Sequence, residues 1–293
     1  MISDVPAHSS PPFQVTSGEL HLWYVAPDDS LDGELLGCYE ALLQPDERQR
    51  YGALKLERRR REYLITRALV RCVLSRYYPD APGDWRFRIT ARGKPELDPP
   101  RGIYFNLTNC GGGAGGGAPD VQRRRSRRLD RVASECAEGA AAGLVACAVA
   151  GCRVGVDAEP VSRAPAILDL APRFLAEGER EALSQLDAPK RTDRAISLWT
   201  LKEAYVKARG LGLALPLRSF SFAFHAGRVT LAMAPPCDGA SWDFPLVDIG
   251  SHRVAIAVER LTGEARVVRV FELIPLAGEP REVEGVGWTV ARN

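Results

Sequence analysis

The amino-acid sequence predicts an α+β fold on three observations: a helical period over residues 46–78, a pair of short apolar strands at 144–150 and 154–159, and short alternating strands after a helix at 193–209. Taken in order, the residues through Pro12 are turn-rich, and Leu20, Leu22 and Tyr24 alternate with their neighbours as a strand. Over 46–78, Tyr63, Ala68, Leu69, Cys72, Val73 and Tyr77 recur at helical steps while Arg58, Arg67 and Arg71 take other faces. This predicts one long amphipathic helix or two joined ones, stopped by Pro79 and the Ala81-Pro82-Gly83 turn. Trp85, Phe87 and Ile89 alternate as a strand, Arg92-Gly93-Lys94-Pro95 makes a turn, and 103–107 reads as another strand. Helices are expected at 167–174, from about Glu177, and at 193–209, with strands at 220–224, 229–233 and 254–258.

Between the strands at 103–107 and 144–150 the composition changes. A glycine tract opens the stretch, Arg123, Arg124, Arg125, Arg127, Arg128 and Arg131 follow, and an Ala/Gly segment completes a low-complexity block over 110–142. Such a block buries too little apolar surface to offset its ordering entropy, so an exposed, disordered insertion is expected, with a short helix near 129–142. Six arginines against Asp120, Asp130, Glu135 and Glu138 leave it at +2, the net charge of the whole chain, so the remainder is close to neutral. The arginines invite an acidic protein surface or nucleic acid, but a solvated tract accounts for them better, and nucleic acid is not expected as a partner.

A length of 293 residues suits one large domain or two fused halves. No apolar stretch reaches the about 20 residues that cross a bilayer, so no membrane association is expected. The absence of Lys and Arg before Arg48 argues against a basic leader, which makes a cytoplasmic location the expectation. Seven cysteines, an odd number without C-x-x-C spacing, read as buried free thiols rather than a zinc site or a disulfide framework.

Two segments carry chemistry. In Arg153-Val154-Gly155-Val156-Asp157-Ala158-Glu159 the period of a strand puts Val154, Val156 and Ala158 on one face and Asp157 with Glu159 on the other. Neighbouring carboxylates repel unless solvated or bridged by a cation, and hard oxygen donors suit Mg²⁺. A solvated strand end accounts for the pair as well as a metal site does. In Trp199-Thr200-Leu201-Lys202-Glu203-Ala204-Tyr205-Val206-Lys207, residues Trp199, Glu203 and Lys207 form one helical stripe. An isolated surface ion pair would explain Glu203 and Lys207 alone.

Together, Gly155-Val156-Asp157-Ala158-Glu159 and the later Trp199-Thr200-Leu201-Lys202-Glu203-Ala204-x-x-Lys207 with Gly210-x-Gly212-Leu213 resemble the paired motifs of the Sfp-type 4′-phosphopantetheinyl transferases, in the holo-acyl-carrier-protein synthase superfamily. Gly93-Lys94-Pro95, Phe105-Asn106-Leu107-Thr108 and the Arg-rich helix with Tyr63-Leu64 and Arg71 extend the match along most of the chain. The resemblance implies two similar α/β halves about a pseudo-twofold axis, here 1–109 and 143–293, with the nucleotide between them. It implies transfer of the phosphopantetheine arm of coenzyme A to a serine of an acyl or peptidyl carrier protein, with release of 3′,5′-ADP, by a monomer. Residue by residue, it implies that Asp157, Glu159 and Glu203 hold Mg²⁺ and that Lys207 neutralises the departing phosphate; Glu203 is then the residue expected to accept the serine proton, either directly or through a metal-bound water. Arg48, Arg50, Arg61, Gly93, Lys94, Pro95, Thr108, Asn109 and Lys202 are then the residues expected to face coenzyme A.

Two departures keep a second reading open, that of a catalytically impaired protein that binds coenzyme A or a carrier domain. Asn109 stands where the family has histidine, and an amide brings no positive charge to a phosphate. The 110–142 block is inserted beside the expected nucleotide site. A third reading, a metal-dependent nuclease, is disfavoured by the segment from Trp199 to Leu213.

Overall fold

A computed structural model describes residues 13–16, 18–26, 33–110, 143–225, 228–233, 239–261 and 266–284. The short helix expected near 129–142 and the 111–142 arginines lie outside the described residues, as do Cys136 and Cys237.

The described residues form a mixed α+β structure in layers. The first sheet has the order β13-β12-β1-β5-β4, built from β1 (Glu19–Val25), β4 (Tyr104–Cys110), β5 (Leu144–Ala150), β12 (Val267–Glu272) and β13 (Arg281–Glu282). Strand β1 runs parallel to β12, with Leu22 opposite Val270, and antiparallel to β5, with Leu22 opposite Ala148. The second sheet has the order β10-β11-β6, with β9 (Ser241–Asp243) also paired to β11; its strands are β6 (Val154–Pro160), β10 (Leu246–Ile249) and β11 (His252–Arg260). The first sheet thus draws strands from both sides of residues 111–142.

The two sheets face each other. Leu20 and Leu22 of β1, Ala146 and Ala148 of β5, Val154 and Val156 of β6, and Val254 and Ile256 of β11 share one apolar cluster. Each sheet also carries a helix on its outer face. Helix α3 (Glu57–Leu74) packs Ile65, Leu69 and Val73 with Trp23, Cys147 and Val149, and the last helix packs Ala204, Tyr205 and Ala208 with Ala255 and Ala257. Covered on both sides, β5 and β6 are buried along their whole length, which is why both read as near-continuous apolar runs.

The helical period over 46–78 resolves into α2 (Pro45–Gly52) and α3, and α1 (Gly33–Ala41) precedes them. The expected strand through Trp85 begins later, as β2 (Phe87–Ile89) paired with β3 (Pro95–Leu97); the Trp85 indole is instead buried and donates to Ser75 Oγ at 2.9 Å. Helices α4 (Ala164–Phe174) and α5 (Glu177–Ser184) lead into α6 (Ala188–Arg209), which starts earlier than expected because the Asp187 carboxylate accepts from the Lys190 backbone N–H at 3.0 Å and caps it. Gly210, at φ 61°, closes α6 in a left-handed conformation. A hairpin of β7 (Ser221–His225) and β8 (Arg228–Met233) follows. Cys72, Cys110, Cys147 and Cys152 are buried free thiols as expected, whereas Cys38 is exposed.

Candidate active site

The site forms where the edge strands of the two sheets meet under α6. Strand β4 is an edge of the first sheet and β6 an edge of the second. They are not paired by a backbone ladder; instead the Asn106 side chain accepts from the Val156 N–H at 2.8 Å. Glycine at 155 sets the height of α6 above β6. A Cβ there would lie 2.2 Å from the Ala204 carbonyl oxygen and 2.3 Å from the Ala208 nitrogen, so only glycine admits the helix backbone this close. Asp157 and Glu159 stand on the Gly155 face of β6, and the close approach brings Trp199 and Lys207 of α6 within reach of them.

Asp157 Oδ1 accepts from Lys207 Nζ at 2.6 Å and from the Thr108 hydroxyl at 3.3 Å. Lys207 Nζ lies also 3.1 Å from the Val156 carbonyl oxygen and 3.3 Å from Thr108 Oγ1. Asp157 Oδ2 is buried with no hydrogen-bond partner. Glu159 Oε1 accepts from the Trp199 indole N–H at 2.8 Å, and Oε2 accepts from the Arg163 guanidinium. Both carboxylates are 6 % exposed. Burial pushes both up from the ordinary carboxylate range, chiefly opposed by Lys207 at Asp157 and by Arg163 at Glu159.

The remaining expected residues divide. Thr108 joins the carboxylates through its hydroxyl, and Asn109 turns to α3, where its Nδ2 donates to Thr66 Oγ1 at 3.2 Å while its Oδ1 is buried without a partner. Gly93 takes φ 85° in the β2–β3 turn, Pro95 begins β3, and the Lys94 ammonium lies 3.5 Å from the Val154 carbonyl at the start of β6. Desolvation lowers the Lys94 pKa from its ordinary value. Arg61 is half-buried near the start of α3. Arg48 and Arg50 are exposed on α2, Arg50 pairing with Asp46 at 3.5 Å and Arg48 reaching the Leu43 carbonyl at 3.4 Å.

Lys202 is elsewhere, which corrects the expectation that it faces coenzyme A. Its ammonium is fully buried in the core beneath α6, donating to the Leu217 and Phe220 carbonyls at 2.7 and 2.6 Å and pairing with Glu179 Oε2 at 2.8 Å. On a helix it projects away from the stripe of Trp199, Glu203 and Lys207.

The stretch 153–257, from β6 through β11, matches the family model described as the 4′-phosphopantetheinyl transferase superfamily. The 4′-phosphopantetheinyl transferase Sfp of Bacillus subtilis is 26 % identical over 215 residues, 73 % of this chain and 81 % of that protein. The 4′-phosphopantetheinyl transferase HetI of a Nostoc species is 28 % identical over 208 residues, 70 % of this chain and 74 % of that protein. Among solved structures, the holo-(acyl-carrier-protein) synthase of Bacillus anthracis in complex with coenzyme A (3′,5′-ADP) aligns over 36 % of this chain and 93 % of its own, at 22 % identity and a TM-score of 0.33. Over 153–257 the chain is thus similar to the 4′-phosphopantetheinyl transferase superfamily, and over most of its length to Sfp and HetI.

In this chain the expected acidic triad is not gathered: among the described residues no three His, Cys, Asp or Glu side chains are grouped as a metal ion requires. Asp157 and Glu159 stand together, while Glu203 is half-buried on α6, one turn from Trp199 and one from Lys207. The pair nonetheless suits a hard cation, since Asp157 holds a buried oxygen that nothing else satisfies and both carboxylates are raised by desolvation. Arg163 was missed from sequence, and Asn106 appears there only within the Phe105-Asn106-Leu107-Thr108 motif, without a role at the site. Arg163 lies in an irregular turn after Pro160, and Asn106 sits inside a strand where an amide reads as neutral. No helix among the described residues is long and apolar enough to cross a membrane.

Proposed function

We propose that this protein transfers the 4′-phosphopantetheine group of coenzyme A to a serine of an acyl or peptidyl carrier protein, in a Mg²⁺-dependent reaction that releases 3′,5′-ADP. The observation that carries the reading is the meeting of Asp157, Glu159 and Lys207 at one junction of β6 and α6, inside the stretch matched by the family model.

Asp157 and Glu159, with Glu203 closing from α6, would hold the ion. Bound there, Mg²⁺ supplies charge neutralisation and orientation for the diphosphate of coenzyme A. The serine hydroxyl attacks the β-phosphorus, the bond from that phosphorus to the bridging oxygen breaks, and 3′,5′-ADP departs with the electron pair. Glu203 accepts the serine proton. Lys207, already beside Thr108 and Asp157, holds negative charge on the departing phosphate, and Lys94 and Thr108 line the approach of the nucleotide. Phosphoryl transfer asks mainly for positioning and charge compensation, and this junction offers both without a covalent nucleophile. The protein acts as a monomer in the cytoplasm, with residues 1–109 and 143–293 as its two halves, the second lending β5, β12 and β13 to the sheet that holds β1 and β4.

Incubation with coenzyme A, Mg²⁺ and a carrier domain should add one phosphopantetheine mass to the carrier, read by mass spectrometry. Coenzyme A bound without carrier modification would replace this reading with that of a binding protein. Glu203→Gln should abolish transfer in a protein that still folds, and undiminished transfer removes Glu203 from the mechanism.

A further inference from the structure

Of the two carboxylates on β6, Glu159 is the more completely held. Each of its oxygens has a donor, Trp199 on Oε1 and Arg163 on Oε2, whereas Asp157 keeps Oδ2 unpartnered. The two donors differ in kind. The indole N–H is neutral and fixes the direction of the carboxylate without opposing a cation. Arg163 carries a full positive charge. It sits at i,i+4 from Glu159, across the short turn that joins β6 to α4, and the two side chains are 10 % and 8 % exposed. A guanidinium and a divalent ion on one buried carboxylate repel each other where solvent screens little.

We propose that Arg163 is a resident counter-cation on Glu159, which keeps the affinity of the Asp157–Glu159 site for a free divalent ion low, so that the ion enters with its diphosphate rather than ahead of it. The inference rests on the metal-dependent reading above and concerns the order and strength of binding. The diphosphate brings the negative charge that lets the ion and Arg163 share the site. Without it, the ion must displace Arg163 from Oε2. Lys207 on Asp157 acts in the same sense, but the reading above already gives it a role toward the phosphate and gives Arg163 none, so Arg163 is the residue to replace.

Calorimetric titration of the substrate-free protein with Mg²⁺ and with Mn²⁺ tests this. Arg163→Gln should tighten binding about tenfold, while Arg163→Lys stays near the unsubstituted protein and Glu159→Gln cancels the gain. Unchanged or weaker binding in Arg163→Gln overturns the proposal, the weaker case making Arg163 a residue that merely positions Glu159. Should that variant not fold, the guanidinium NMR signal of Arg163, identified by its loss in Arg163→Lys, is followed in the unsubstituted protein. It should shift on saturation with Mg²⁺, and an unmoved signal overturns the proposal. Asp157→Asn separates the two claims: if it leaves both metal affinity and transfer unchanged, the metal-dependent reading itself fails, whereas failure of Arg163→Gln to tighten binding leaves that reading standing.

Discussion

Helix α6 sends one lysine into each of two buried acidic settings, and the settings differ in how fully they are satisfied. Around Lys202, Glu179 Oε2 also accepts from the Ala176 N–H at 2.9 Å and Oε1 accepts from the Phe222 N–H at 2.9 Å, so both carboxylate oxygens have partners. Around Lys207, Asp157 retains a buried oxygen with no partner, and a second carboxylate, Glu159, stands beside it. A closed network of charges fixes α5, α6 and β7 to one another; an open one costs stability and leaves room for a ligand. The contrast teaches that burial and charge alone do not mark a functional site; an unpartnered carboxylate oxygen beside a second buried carboxylate sets this one apart.

The sharpest way to break the contrast is Asp157→Asn. Transfer should fall by about a thousandfold or more in a carrier-modification assay, while stability in urea changes by no more than about 1 kcal/mol. A large loss of stability would make Asp157 a structural residue like Glu179. Lys202→Met should behave in the opposite sense. It strands the Glu179 carboxylate in the core and should cost about 3–5 kcal/mol, with transfer per folded molecule retained.

A third buried group sharpens the comparison from the neutral side. His21 is fully buried, its Nδ1 lies 2.7 Å from the Tyr77 hydroxyl, and its Nε2 has no partner. Burial lowers its pKa from 6.5 to about 4. The unfolded chain therefore binds a proton that the fold refuses, so the contribution of His21 to stability is intact above about pH 6.5 and is lost as pH falls toward about 4. Replacing His21 by Gln should flatten that acid limb by about 3 kcal/mol in denaturation followed across pH. The smallest effect is expected at Asn109. Asn109→His would offer a charged donor to a phosphate and should strengthen coenzyme A binding by about 1–2 kcal/mol, read as a lower KM at unchanged kcat.

Much of this was legible because local pattern and burial agreed. The apolar runs of β5 and β6 are what strands covered on both faces require, and the period of two puts Asp157 and Glu159 on one face. Helix α1 escaped because Gly33 and Gly37 interrupt its pattern and only Tyr39 of its residues is buried. Strand β12 escaped because Arg269 splits a short run whose partner, β1, lies at the other end of the chain. At the site, the motif around Lys202 blurred two roles, since residues adjacent in a motif point in different directions on a helix. Arg163 carried no signal: its importance comes from a turn that folds it back on Glu159, and turns of that kind have no period.

The place of β12 in the first sheet bears on how the polypeptide is made. Strand β1 leaves the ribosome before both of its neighbours in the sheet, β5 and β12, which come much later in the sequence. Its apolar residues must wait for those partners, exposed or in the keeping of a chaperone, until residues 267–272 emerge. Ribosome-bound chains cut short of β12 should thus lack the completed sheet, and this layer closes only once β12 has been made.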